Sequence, residues 1–125
     1  MAGKSSPIIR ALNSLALKTA GEVRVHLSHA HFESDVMATA LSLFEEFEMT
    51  RTANRNAVLI YVNLRHRKFA IVADEGIHRV VGQRYWDEMA VNLREDLQST
   101  HFENALALTT YGLTVVMQKF FPIVR

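Results

Sequence analysis

The sequence contains no cysteine, which excludes disulfide bonds, thiol catalysis, iron–sulfur clusters and cysteine zinc sites. It also lacks any apolar run that approaches the ~20 residues needed to cross a bilayer. The segment from Met1 to Asn13 has no continuous apolar core of the kind found in secretory signal peptides. These absences predict a chain that is cytoplasmic or a soluble domain of a membrane-associated protein.

The sequence also has no large excess of positive or negative charge. Fourteen basic residues against thirteen acidic ones leave a formal net charge of +1, so no global field attracts nucleic acid or an anionic membrane. No glycine-rich phosphate loop, nucleophile elbow or His-Glu-x-x-His helix occurs in the sequence. We therefore expect no nucleic-acid partner and exclude serine hydrolases and nucleotide enzymes of the common motif classes.

The residues that are present predict one globular domain over positions 1–125. The chain has 125 residues, of which 49% are hydrophobic and 22% are charged. This length is close to the commonest domain size, and this composition is too apolar for a disordered chain.

Three segments have the patterns of β-strands. Residues 22–28 alternate between apolar and polar side chains, which is typical of a strand. Residues 57–62 are apolar at every position, which predicts a central strand covered on both faces. A short polar turn, residues 64–67, then leads into residues 68–73 as an antiparallel partner.

Helical patterns surround these strands. Ser6 and Pro7 predict a helix start, and Gly21 suits the left-handed residue that often ends a helix. Further helices are predicted over about 33–49, as a short turn over 77–81, from near Gln83, and from a capping box at residues 100–103. The predicted fold class is α/β: a three-layer α/β/α sandwich with a small mixed sheet, formed by a parallel pair plus an antiparallel hairpin strand, and helices on both faces.

Oxygen-bearing side chains from three separate segments fall at one edge of this predicted sheet. Glu22 lies at the entry to the first strand, Asn54 and Asn56 precede the second, and Asp74 and Glu75 follow the third. The interpretation without a ligand is that the asparagines and carboxylates shape ordinary turns.

Several motifs along the chain resemble those of the TPM domain family in both order and spacing. They are Gly21-Glu22-Val23-Arg24-Val25, Asn56 to Val62, Arg67 to Ile71, Gly76-Ile77 and the Phe121-Pro122 pair after the last helix, which is typical of the short, stand-alone branch. The resemblance implies a TPM-type α/β/α sandwich. Members of the family include a thylakoid protein credited with acid phosphatase activity, calcium-binding versions and many proteins of unknown function.

The resemblance also implies a metal site. The metal-associated loops of the family match residues 54–56 and 74–76, together with Glu22, so the predicted ligands are Glu22, Asn54, Asn56, Asp74 and Glu75, with His78 as an accessory. The loop before the second strand departs from the more acidic family pattern, because it carries Arg55 between neutral amides. Ca²⁺ gains affinity from ligand charge, so we expect weak binding of Ca²⁺ or Mg²⁺.

The histidines and the basic turn provide two further candidates. Zinc would need His29, His31 and His66 together, since His26 and His29 point to opposite faces of an extended strand. Residues 65–68, Arg-His-Arg-Lys, could hold a phosphate or an acidic peptide, or simply form a solvated turn.

Two functional hypotheses follow. The first is a protein-interaction or scaffold module with an unidentified protein partner and a weak divalent-cation site. The alternative is a metal-assisted acid phosphatase-like hydrolase, in which Asp74 is the only carboxylate whose loop position suits a nucleophile or the ligand of an activated water.

Overall fold

The computed structural model describes residues 6–124, and within them the elements follow the predicted order. The helices are α1 (Pro7–Lys18), α2 (Val36–Glu46), α3 (Glu75–Val81), α4 (Gln83–Ser99) and α5 (Phe102–Phe120). The strands are β1 (Glu22–Ser28), β2 (Ala57–Asn63) and β3 (Lys68–Ala73). These elements confirm the predicted α/β sandwich class with its small mixed sheet.

The sheet has the order β1-β2-β3. β1 and β2 run parallel, with Glu22 opposite Ala57, whereas β2 and β3 run antiparallel as a hairpin, with Val58 opposite Ala73. All seven residues of β2 are buried, as the continuous apolar run predicts for a central strand. The backbone N–H of Asp74 donates to the carbonyl of Ala57, so the hairpin pairing extends one residue beyond β3.

Residues 22–83 form one compact unit, which contains the sheet, α2 and α3. Its core lies between α2 and one face of the sheet, where Phe44 of α2 and Met49 join Leu59, Tyr61 and Val72. α2 is shorter than predicted because Asp35 caps its first N–H groups and Glu48 adopts a positive φ of 55° soon after its end.

Residues 6–21 and 84–124 belong to a second compact unit, in which α1 packs along α5. Ser6 caps α1 and Pro7 is its first residue, as predicted. Gly21 does not adopt a left-handed conformation; the helix ends at an extended Thr19 instead. Gly21 is closely approached by Met117, because a Cβ at position 21 would lie 2.0 Å from Cε of Met117 and the flexible end of that side chain would have to shift.

The start of α5 also differs from the prediction. The N-cap is His101 rather than Thr100, and its side chain accepts a hydrogen bond from the N–H of Glu103 at 3.3 Å. A ring nitrogen replaces the hydroxyl expected from the capping box. Over residues 6–124 no helix is both long and apolar enough to cross a membrane.

Candidate functional site

The predicted sheet-edge site is organised around Asp74, which follows β3 and is almost fully buried. Both of its carboxylate oxygens accept hydrogen bonds from Arg55, whose Nε lies 2.7 Å from Oδ2 and whose Nη2 lies 2.8 Å from Oδ1. Nη1 of Arg55 lies a further 3.5 Å from Oε1 of Glu75. The hydrogen bonds to Asp74 raise the pKa of the Arg55 guanidinium. The bidentate contact places a positive charge at the position that the sequence suggested for a cation.

The Asp74 carboxylate has a second role at the start of α3. Its Oδ1 accepts a hydrogen bond from the backbone N–H of Glu75 at 2.8 Å, so Asp74 is the N-cap of this short helix. The carboxylate therefore holds the loop before β2 and the helix after β3 together.

Gly76 brings the same two segments into close backbone contact. Its N–H donates to the carbonyl oxygen of Arg55 at 2.8 Å, and a Cβ at this position would lie 1.9 Å from the carbonyl oxygen of Asn54. Arg55 itself has a left-handed φ of 51°. Two of the three predicted segments, residues 54–56 and 74–76, are thus brought together.

Asn56 is 2% exposed and holds the one unpartnered buried side-chain atom found in residues 6–124. Its backbone N–H donates to Oγ1 of Thr52, but Oδ1 has no hydrogen-bond partner there. An unsatisfied buried carbonyl oxygen costs about 1–3 kcal/mol, which a water molecule or a cation would recover.

Glu22 stands apart from this cluster. Ala57 lies between Glu22 on β1 and Asp74 in the sheet register, so the backbones of the two acidic residues are two strand spacings, roughly 10 Å, apart. The Glu22 side chain is partly exposed, and its Oε1 lies 3.8 Å from Nε of Arg24.

The donor set decides whether the residues fit a divalent cation. Asp74, Glu75 and Asn56 offer the oxygen atoms that Ca²⁺ and Mg²⁺ prefer. However, residues 6–124 hold no group of three or more acidic or histidine side chains placed for a metal ion, and Arg55 already binds Asp74. The site fits a cation in the type of its donors, but Arg55 competes with a cation for the carboxylate of Asp74.

The opposite edge of the sheet carries a polar cluster that the sequence did not reveal. Glu33, which lies between β1 and α2, accepts hydrogen bonds from the hydroxyl of Tyr61 at 2.7 Å and from Nδ2 of Asn63 at 2.8 Å. Nδ2 of Asn63 also lies 3.2 Å from the carbonyl oxygen of Ala30. These hydrogen bonds therefore hold the loop after β1 against the sheet edge at which open α/β sheets usually bind ligands.

Burial and hydrogen bonds both shift the pKa values of the groups in this polar cluster. Desolvation raises the pKa of Glu33, but hydrogen bonds from Thr39, Asn63 and Tyr61 outweigh it, so the pKa lies below its ordinary value. Burial is the main cause that raises the pKa of the Tyr61 hydroxyl. Glu33 is thus held as a carboxylate.

The remaining predicted candidates are parts of local turns. His66 contacts the carbonyl oxygen of His31, and Nε of Arg65 donates to that of His29 at 3.2 Å. The N–H groups of Arg65 and His66 donate to Oδ1 of Asn63, which shapes the basic turn. His78 is exposed on α3, and its role as an accessory ligand stays a prediction.

A second candidate surface lies in the unit formed by residues 6–21 and 84–124. A groove of about 390 Å³ runs between α4 and α5, and its lining combines apolar, acidic and backbone surface. The residues that characterise this α4–α5 groove are Tyr85, Glu88, Met89, Asp96, Leu108 and Gly112. Burial raises the pKa of the Tyr85 hydroxyl, which keeps it protonated.

The sequence contained a signal for part of this surface. Residues 104–118 carry no charged side chain, although Leu108, Tyr111 and Val115 repeat at helical spacing on the exposed face of α5. Leu106, Leu113 and Met117 form the buried apolar face of the same helix, so α5 has a second, exposed apolar face that the helix prediction did not include.

Comparisons with known proteins agree with this architecture. The NMR structure of the BA42 protein from the psychrophilic bacterium Bizionia argentinensis is 30% identical, with a TM-score of 0.85; the match covers 94% of this chain and 81% of that one. The N-terminal domain of a protein from P. gingivalis, also solved by NMR, has a TM-score of 0.77 at 14% identity, with 94% and 78% covered, and shows the fold alone. No curated protein matches the chain. A model of the TPM domain family matches residues 2–115, and the chain therefore belongs to the TPM domain family.

Proposed function

We propose that this TPM domain is a protein-interaction module that binds a partner through the exposed face of α5. The observation that carries the proposal is the uncharged, apolar character of this face. Leu108 is 57% exposed and Val115 is 70% exposed, and both lie within a stretch of α5 that carries no charge. The exposed face of a helix in contact with water usually carries charged and polar side chains, so a continuous apolar stripe favours a binding role.

The engagement of Asp74 supports binding over hydrolysis. A nucleophile or metal ligand needs an accessible lone pair, whereas Arg55 and the cap of α3 occupy three of the roughly four acceptor positions of the Asp74 carboxylate. A metal-assisted phosphatase would have to break the ion pair before any chemistry at Asp74. The hydrolase hypothesis therefore requires a rearrangement that the interaction hypothesis does not.

Turnover of a phosphomonoester separates the two functions. The interaction module predicts that the wild-type protein hydrolyses p-nitrophenyl phosphate no faster than the buffer does, with or without millimolar Ca²⁺ or Mg²⁺. The same measurement on Asp74→Asn is the control. Metal-dependent turnover by the wild type that Asp74→Asn abolishes would establish the hydrolase as the function of the sheet-edge site.

Weak binding of Ca²⁺ or Mg²⁺ at the sheet edge is a second candidate function, favoured by the unpartnered Oδ1 of Asn56. A cation at this edge would bind Asn56 and Glu75, and would take Asp74 in exchange for Arg55. Glu22 is separated from these residues by the width of two strands and contributes a favourable charge rather than a direct ligand. The cost of displacing Arg55 makes the expected affinity low.

A further inference from the structure

The α4–α5 groove combines features that restrict what can bind it. Its lining includes Gly112, which lies in the middle of the 19-residue helix α5. An ideal Cβ at this position would have no atom within 4 Å, so nothing in the described part of the chain requires a glycine there. A glycine inside a helix destabilises the helix relative to alanine. The open backbone at position 112 permits close approach by a second element from outside.

The walls of the groove are different on its two sides. The α5 side is uncharged, whereas Glu88 and Asp96 bring carboxylates to the α4 side. Glu88 forms an ion pair with Arg84 at 3.1 Å, but both side chains are exposed, and such exposed pairs contribute little to stability. An incoming cation could share or replace this contact at little cost.

From this asymmetry we propose that the groove binds an amphipathic helix of a partner protein that carries an apolar stripe with Lys or Arg along one flank. The proposal rests on the interaction function proposed above and names the partner class. The apolar stripe of the partner would cover Leu108 and Met89 and approach the backbone at Gly112, and its basic flank would face Glu88 and Asp96. This is recognition of a helix in a groove, with charge setting the orientation.

A second copy of the chain suits the groove less well. If two α5 faces packed antiparallel, each acidic α4 side would face its counterpart in the other copy, and like charges across an interface oppose association. A basic partner meets the same carboxylates with attraction. The acidic side chains of the groove therefore favour binding of a basic partner over association with a second copy of the chain.

Two fluorescently labelled peptides test the proposal on the full chain. Both have about 18 residues, matching the length of α5, and share one leucine stripe; one carries Lys along a flank and the other carries Glu at the same positions. Fluorescence anisotropy should show that the Lys peptide binds at least about tenfold more tightly than the Glu peptide, and that added salt weakens its binding. Equal binding of the two peptides, or binding of neither, would overturn the proposal.

Variants locate the binding to the groove. Leu108→Lys should weaken binding of the Lys peptide about tenfold or more, since it removes an apolar contact and adds a like charge. Asp96→Asn, which changes one charge and little volume, should weaken it in the same direction. Leu17→Lys is the matched control, because Leu17 is 77% exposed on α1 and does not line the groove.

Two further outcomes would refute the groove as the site of peptide binding without contradicting the proposed interaction function. Equal losses in Leu108→Lys and Leu17→Lys would place the peptide elsewhere. Self-association in sedimentation velocity that Leu108→Lys abolishes would assign the face to a second copy. Metal-dependent phosphatase turnover that Asp74→Asn abolishes would instead favour the alternative hydrolase function, and no peptide measurement reports it.

Discussion

The guanidinium of Arg55 binds both carboxylate oxygens of Asp74, at 2.7 and 2.8 Å, across 19 positions of sequence. This single contact joins the loop before β2 to the start of α3. It explains how a predicted cation site can be neutralised by a side chain of the same protein. It also makes Asp74 a structural residue, so replacing it should lower the free energy of unfolding.

Asp74→Asn should lower the free energy of unfolding by about 2 kcal/mol, since it removes the charge that Arg55 binds and turns an amide N–H group toward the guanidinium, whereas asparagine can still cap α3. The loss stays below the 3–5 kcal/mol of fully buried pairs because the Arg55 side chain is 43% exposed and solvent screens it. Urea unfolding measures the change. Arg51→Ala, which breaks the exposed Arg51–Glu48 pair, is the control and should shift stability by less than about 0.5 kcal/mol. If Asp74→Asn also shifts the free energy of unfolding by less than about 0.5 kcal/mol, the Arg55–Asp74 pair contributes little to stability.

Gly76→Ala should destabilise the fold by about 3 kcal/mol, at the upper end for overpacking, because the new methyl group would meet rigid backbone. The nearest atom is the carbonyl oxygen of Asn54, at 1.9 Å from the ideal Cβ. Thermal unfolding followed by circular dichroism measures the loss. A melting temperature equal to that of the wild type would mean that α3 and the loop before β2 are less closely packed than described.

Glu33 should make stability depend on pH in the acidic range. Its pKa in the folded state lies below the ordinary value of 4.5, so the folded state binds protons less readily than the unfolded state. The stabilisation is therefore complete above the unfolded-state pKa and is lost as pH falls through the lower folded-state pKa. Melting temperatures between pH 3 and 7, which span this range, should show a rise with pH in the wild type that is reduced in Glu33→Gln. Glu46→Gln, at an exposed position of α2, is the control, and an unchanged pH profile in Glu33→Gln would contradict the assigned hydrogen bonds.

Removing Arg55 should strengthen any cation binding at the sheet edge. Arg55→Gln releases the Asp74 carboxylate and removes a positive charge, so Ca²⁺ should bind at least about tenfold more tightly than in the wild type. Amide chemical shifts of residues 54–56 and 74–76 during a Ca²⁺ titration report the binding. Arg51→Gln controls for the loss of a nearby surface charge. Identical titrations of wild type and Arg55→Gln would remove Asp74 from the proposed ligands.

Much of the fold was predictable because periodicity and turn chemistry are local properties. The apolar run of β2 and the alternation of β1 defined the central and flanking strands, and Ser6-Pro7 defined the start of α1. Local patterns were insufficient where distant atoms decide the conformation. Gly21 is an example, since it is not left-handed and the side chain that packs closest to it, Met117, is remote in sequence.

The candidate site was predicted only in part, for the same reason. Sequence order placed residues 54–56 and 74–76 at one edge, and the structure brings them together. The Arg55 side chain points at Asp74 and forms an ion pair with it. Arg55 has a left-handed backbone, and the spacing of residues in the sequence predicts neither this conformation nor the direction of the side chain. Glu33 meets Asn63 through a loop whose path no local pattern specifies.

The central claim is that the α4–α5 groove is a binding surface, and Gly112→Ala tests it most directly. Because a Cβ at position 112 meets open space, alanine should raise the free energy of unfolding by about 0.5–1 kcal/mol, as in other exposed helix interiors. The same methyl group stands in the groove, so binding of the Lys peptide should weaken about tenfold. A more stable protein with weaker peptide binding is the predicted result. A more stable protein that binds the peptide as well as the wild type does would contradict the account.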